Sequence, residues 1–280
     1  MSAQVSIRDA LYEAPGPKTR RRIVIGTIIA SLLVLALVAM AVMQFYKTGQ
    51  LDEKYWSFFL KPSTWLYLGE GFLGTIKVAV VAGAISLVLG LVLMLGRTSG
   101  IRPLAAVSRI IIDFFRGVPS LLLIYFFFLV IPRYGIRMPS FWMITLPVAL
   151  AASGVLAEVF RAGVNAVPKG QREAAMAIGM SDAQIMFKII LPQALRIVIP
   201  SLISQLVVVV KDTTVAYVVS YPDLMQNARV LISNYDALVS TYFLVAIIYI
   251  LINYAINELA IYIARRSGTQ IVSRTSENPL

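Results

Sequence analysis

Lys211, Asp212, Thr213 and Thr214 stand together inside an otherwise apolar segment, residues 197–221. Adjacent charges flanked by hydroxyls offer ionic and hydrogen-bonding contacts to a polar molecule. They do not imply covalent chemistry. Lys211 is the fifteenth residue of this 25-residue segment, and a cation held at such depth costs about 3 kcal/mol on insertion scales. Two readings are open. Lys211 meets a substrate carboxylate or pairs with Asp212 at a gate, or the helix ends near Val210 and Lys211 snorkels to the outer surface. Arg116-Gly117-Val118-Pro119 raises a similar choice. Either it bends a span so that Arg116 lines a cavity, or it is a proline-kinked helix start tuned for packing. Glu158 and Arg161, three residues apart, read as a pair bracing a helix end. The chain has no Cys and no His, which removes thiol chemistry, disulfides and the commonest metal ligands together.

A third constellation is the polar stretch 170–192, GQREAAMAIGMSDAQIMFKIILP, between two apolar segments. Pro168 suits a first helical position, Gln171 to Ile178 are mostly helix formers, and Gly179 suits a left-handed stop. Ser181 with Gln184 predicts a capping box, opening a second helix that runs to about Ile190 before Pro192. A first helix of about 11 residues is too short to be stable alone in water. Ala174, Ala175 and Ile178 form a small-residue face, with Glu173 near the positive helix end. The pair of helices is either a peg completed by a groove on a partner or an amphipathic hairpin lying on lipid headgroups.

These groups need elements to hold them. The sequence is 59% hydrophobic and only 14% charged, with mean hydropathy +0.80, where a soluble domain has about a quarter of its residues charged. Apolar runs at 23–46, 72–95, 107–131, 141–160, 197–221 and 238–264 predict an all-α polytopic membrane protein of about six transmembrane helices. The first run is about twice the length of a signal-peptide core and has no convincing cleavage site, so it reads as a retained helix. Seventeen Lys and Arg then fall on the side of the termini and six on the other, which predicts N-in, C-in. Most of the net charge of +11 is thereby an orientation signal, and a nucleic-acid partner loses its support.

Some details of the spans are less regular. The third is apolar only over 117–131 unless Arg109, Asp113 and Arg116, which share a helix face, are drawn in. Lys77 is expected five residues into the second span from its outer end. Asn253, Asn257 and Glu258 read as interhelical hydrogen-bonding groups, and Tyr125 to Phe128 as lipid-facing or core. The expected organisation is a tail at 1–22, mobile over 1–17, an extra N-terminal helix at 23–46, a transport unit at 70–264 with a cytoplasmic loop at 161–196, and a tail at 265–280.

Glu173-Ala174-Ala175, three residues, Gly179, nine residues, then Ile189-x-Leu191-Pro192 resembles the EAA loop of ABC importer permeases at every fixed position. EVFRAGVNAVPKGQ (158–171), FRGVP (115–119) and KDTT (211–214) are similar to motifs of the polar-amino-acid branch, with Val118 and Thr214 replacing its Thr and Ser. The resemblance covers about 70–264, the five-helix core. It implies that Glu173, Ala174, Ala175, Gly179, Leu191 and Pro192 couple to a separate pair of ATP-binding cassette ATPase subunits. It further implies a second permease, identical or related, an extracytoplasmic amino-acid-binding protein, and a bacterial cytoplasmic membrane location. Arg116, Lys211, Asp212 and Thr213 would lie on the substrate pathway. No GxxxxGK[ST] loop is present, so ATP and Mg are expected in the partner and no cofactor in this chain. The LYEAPGP stretch, its basic run and the added helix are similar to actinobacterial glutamate permeases, which makes glutamate the expected cargo. An ion- or proton-coupled carrier is the alternative; it would call for intramembrane carboxylates or His and often an inverted repeat. With no nucleophile–base pair visible, an enzyme is not expected.

Overall fold

The computed structural model describes residues 16–266; most of both predicted tails, including Leu11 to Pro15, lies outside the described residues. Among these residues all regular structure is helical, in two compact units that divide between Ser57 and Phe58. The first unit holds α1 (Pro17–Lys47) and a short 3-10 turn (Glu53–Tyr55). Pro17 occupies the first helical position, where its missing N–H is no loss. The basic run 18–22 belongs to the first turns of α1, and none of its residues is buried. At 31 residues, α1 is about 46 Å long, ample for a bilayer.

The second unit contains α2 (Pro62–Thr98), α3 (Arg102–Gly117), α4 (Ser120–Tyr125), α5 (Ser140–Ala166), α6 (Lys169–Ala177), α7 (Asp182–Gln184), α8 (Leu191–Asp212), α9 (Leu224–Tyr235) and α10 (Leu238–Arg266). Among the described residues five helical stretches are long and apolar enough to cross a membrane, six if α3 and α4 count as one bent span. The predicted polytopic class is thereby met: a five-helix core and an additional N-terminal helix. Its centre is the packing of α2 on α5, where Val78, Ala82, Ile144 and Val148, with Val209 of α8, are sealed from solvent. This compact unit starts at Phe58, and α2 starts at Pro62. Lys77 therefore stands well along α2 at an exposed position, not five residues from its outer end.

Three expectations about the spans change. The run 107–131 is not one helix: α3 and α4 meet at an angle of 98°. Pro119 has no N–H and forces its predecessor out of the helical region, so Val118 is extended at φ −90°, ψ 123°. Beyond Tyr125 the chain widens into a π turn (Phe126–Val130), and Tyr125, Phe126 and Phe128 are exposed. The fifth span does not begin near 197. One continuous helical rod of 38 residues runs from Asp182 to Val219, ending as a 3-10 turn at Ser220 (φ 52°). Asn253 donates to the Tyr249 carbonyl of its own helix (2.7 Å), and Asn257 and Glu258 are exposed.

A helix that hydropathy does not suggest, α9, lies between the last two spans. Asp223 caps it, Oδ1 accepting from the Gln226 amide at 2.7 Å. Burial pushes this carboxyl up to about 7, its desolvation outweighing the backbone amides that hydrogen-bond to it. The preceding Pro222 carbonyl rests directly on Gly74 of α2, and the Leu224 amide donates to Thr75 Oγ1 (3.1 Å).

Candidate functional site

The 161–196 loop folds as a jointed element. Pro168 caps α6 rather than opening it, and α6 has 9 residues, ending at Ala177. Gly179 adopts φ +77°. Its amide donates to Met176 O (3.0 Å) and the Met180 amide to Ala175 O (3.2 Å), the paired bonds of a Schellman stop. The capping box forms in both directions: Gln184 Oε1 accepts from the Ser181 amide (2.9 Å) and Ser181 Oγ from the Gln184 amide (3.4 Å).

The helix that Ser181 opens does not stop before Pro192. α7 passes through a π turn (Ile185–Ile190) into α8 without interruption. Pro192 sits in the first turn of α8. It cannot donate to the residue 188 carbonyl, and the widened turn accommodates the missing bond. The joint is held laterally as well. Arg172 pairs with Asp182 (2.9 Å) and Gln193 Nε2 donates to Gln171 Oε1 (3.4 Å).

Exposure divides the EAA residues. Glu173 and Ala174 are exposed, as are Ile178 at 78% and Met176 at 51%. Ala175 is turned inward, packed with Val167, Ile185, Ile190 and Ala194. It does not share an outward face with Ala174 and Ile178; one α-helical residue step is about 100°. Leu191 is half-buried and Pro192 exposed. Removing the cap by Ser181→Ala is expected to cost about 1 kcal/mol. Amide exchange of residues 182–186 should then accelerate about fivefold.

The other candidate residues separate. A cavity of 140 Å³ is lined by Arg116, Ser120, Val155, Gln205 and Asp212, among others. The bend after Gly117 brings Arg116 and Ser120 to it, and the far part of α8 brings Gln205 and Asp212. Ser120 and Asp212 both face this space. A guanidinium and a carboxylate thus share one small space, a pairing that suits a zwitterion. Lys211 is exposed and points elsewhere; among the described residues no ion pair involves it. Thr213 is buried, its Oγ1 donating to Val210 O (2.8 Å), which closes the helix end.

Glu158 has more partners than the expected Arg161. Arg161 Nε donates to its Oε2 (2.8 Å), Arg97 pairs with its Oε1, and Arg116 lies at 3.9 Å. Arg97 is 61 residues away, so no local spacing announces it.

Comparison with known proteins places this arrangement. The family described as binding-protein-dependent transport system inner membrane component matches residues 86–268. The chain is similar to the glutamate transport system permease protein GluD of Corynebacterium glutamicum, at 36% identity over 240 residues, covering 82% of this chain and 88% of that one. The probable glutamine ABC transporter permease protein GlnP of Bacillus subtilis is 32% identical, covering 69% of this chain and 90% of that one. A crystal structure of an amino acid ABC transporter with histidines superposes with TM-score 0.68 at 29% identity, over 71% of this chain and 94% of that one. With the jointed loop, the helical core and these likenesses together, the chain belongs to the binding-protein-dependent transport system inner membrane components and is an ABC transporter permease.

Proposed function

We propose that this permease serves an ATP-driven importer of amino acids, with glutamate as its cargo. The observation that carries the coupling is mechanical: the rod from Asp182 to Val219 joins the loop directly to the cavity wall at Asp212. In this reading the termini and the 161–196 loop face the cytoplasm, and α6 with its glycine joint seats in a pair of ATPase subunits. Those subunits hold ATP and Mg; this chain supplies no phosphate loop. Glu173, Ala174 and Gly179 make the contact, Ala175 fixes α6 to the membrane unit, and Leu191 and Pro192 carry the motion into α8. The expected transport unit 70–264 is the moving part, and α1 is a further membrane-spanning helix.

The five-helix core is completed by a second permease, and a binding protein outside delivers the amino acid. Within the cavity, Arg116 receives the substrate carboxylate and Asp212 its ammonium group. Lys211 lies on the neighbouring face of the same rod, where the second permease closes the route, and Thr213 fixes the rod's end. Similarity to permeases named for glutamate, glutamine and glutamate/aspartate supports this cargo class.

The test is uptake in vesicles holding the permease with its ATPase and binding protein. Glutamate-loaded binding protein should stimulate both ATP hydrolysis and uptake; hydrolysis indifferent to the loaded protein sinks the proposal. Arg116→Ala removes a charged hydrogen bond worth about 1.5–3 kcal/mol and should slow uptake at least tenfold. Glutamate affinity of the isolated binding protein stays unchanged. Lys211→Ala, measured beside it, would lose its pathway role if its kinetics matched wild type.

A further inference from the structure

Glu158 gathers guanidinium groups from three helices: Arg97 from the last turn of α2, Arg116 from the last turn of α3, and Arg161 from α5 itself. A brace for one helix end needs one arginine. The Glu158 side chain is only 17% exposed and Arg97 19%, so attraction within this pair is little screened, while Arg161 at 36% and Arg116 at 47% reach solvent. Its position is as telling as its composition. Arg116 also lines the cavity of Asp212 and Ser120, and Glu158 lies one turn along α5 from Gly154. At Gly154 the end of α3 presses against α5: a Cβ there would meet the Ile112 carbonyl at 3.0 Å and Arg116 Cγ at 3.1 Å. Beyond Arg116 comes the 98° elbow at Val118-Pro119. The end of α3 thus rests on α5 through Ile112 and the Gly154 contact, and at its tip Arg116 stands between two carboxylates, Glu158 and Asp113, each at 3.9 Å.

We infer that Glu158 is a positioning residue that clasps α3 and α2 to α5 and keeps the foot of the cavity shut. Its ionised carboxylate, shared among three guanidiniums, is the closed state. Loss of that charge leaves Arg97 and Arg161 without this partner and Arg116 with Asp113 alone, and the tip of α3 loosens from α5 at the elbow. The inference rests on the proposed orientation, with termini and loop in the cytoplasm, which makes this the cytoplasmic end.

The chain contains no Cys, so single cysteines report cleanly. Val155→Cys lines the cavity, whereas Leu156→Cys is fully buried beside it. The full chain with its partner subunits is held in inside-out membrane vesicles and treated with a membrane-impermeant maleimide, with no substrate present. Adding Glu158→Gln should raise the labelling rate of Val155→Cys about tenfold, within the usual span of coupling between sites. Glu158→Asp should fall between, and Arg97→Gln, which removes a strut from the other side, should repeat the rise. Leu156→Cys should stay unlabelled in every background. An unchanged rate at Val155→Cys in both Glu158→Gln and Arg97→Gln overturns the clasp, and so does an equal rise at Leu156→Cys. Labelling needs neither uptake nor ATP. A wild-type complex that failed to import glutamate would therefore sink the importer proposal and leave this result standing.

Discussion

Gly179→Pro is expected to abolish uptake and the stimulation of ATP hydrolysis by loaded binding protein, while the chain still accumulates in the membrane. Gly179 has φ +77° and donates its amide to Met176 O. Proline is fixed near φ −65° and has no amide proton, so both conditions of the joint fail together, at about 3 kcal/mol or more. The damage stays local. A Cβ at Gly179 meets nothing within 4 Å, and the core of α2 and α5 is untouched. Set against docking to the ATPase, such a cost is roughly a hundredfold in the assembly constant. Gly179→Ala separates the two causes: it keeps the amide and carries only the left-handed penalty of about 1–2 kcal/mol. Partial activity is expected there. Wild-type uptake by Gly179→Pro would show that the joint does not transmit the ATPase stroke, and copurification of the ATPase with each variant would locate the loss.

Gly74→Val should have the largest effect on stability. A Cβ at this position would stand 2.3 Å from the Pro222 carbonyl oxygen, and a backbone oxygen cannot rotate out of the way. Relief requires moving the connection before α9. That would strain the Leu224 amide bond to Thr75 and the Asn227 Nδ2 bond to the Tyr67 carbonyl (2.7 Å). Overpacking of this kind costs about 1–3 kcal/mol, and occasionally more, before the hydrogen bonds are counted. Gly69→Val, on the same helix with nothing within 4 Å of its Cβ, is the control and should change little. Thermal unfolding of the detergent-solubilised chain reads the contrast; equal midpoints for the two variants would contradict the close approach.

What the sequence discloses is what is local. Ser181 with Gln184 and the isolated Gly179 define the loop because a cap, a box and a left-handed stop each act within four residues. The same logic misplaces the end of the second helix. Pro192 reads as a stop, yet a π turn lets the ladder pass around it. Pro119 marks the break in the third span, but no residue spacing announces an angle of 98°. Arg97 reaches Glu158 across 61 residues, and α9 is too polar to stand out among apolar runs. Asp212 could be noticed but not assigned: only the fold puts Arg116 across a cavity from it and turns Lys211 away.

The unbroken rod from Asp182 to Val219 also limits how chain length can vary here. One residue inserted within α8 would rotate everything beyond it by about 100° and carry Asp212 off the cavity wall. Its orientation is locked to that of Ser181 by counting alone. The π turn at Ile185–Ile190 is the place where this count can be reset, because such a turn holds one residue more than an α turn spanning the same stretch. Length differences among relatives between the loop and the cavity should therefore gather there or be lacking.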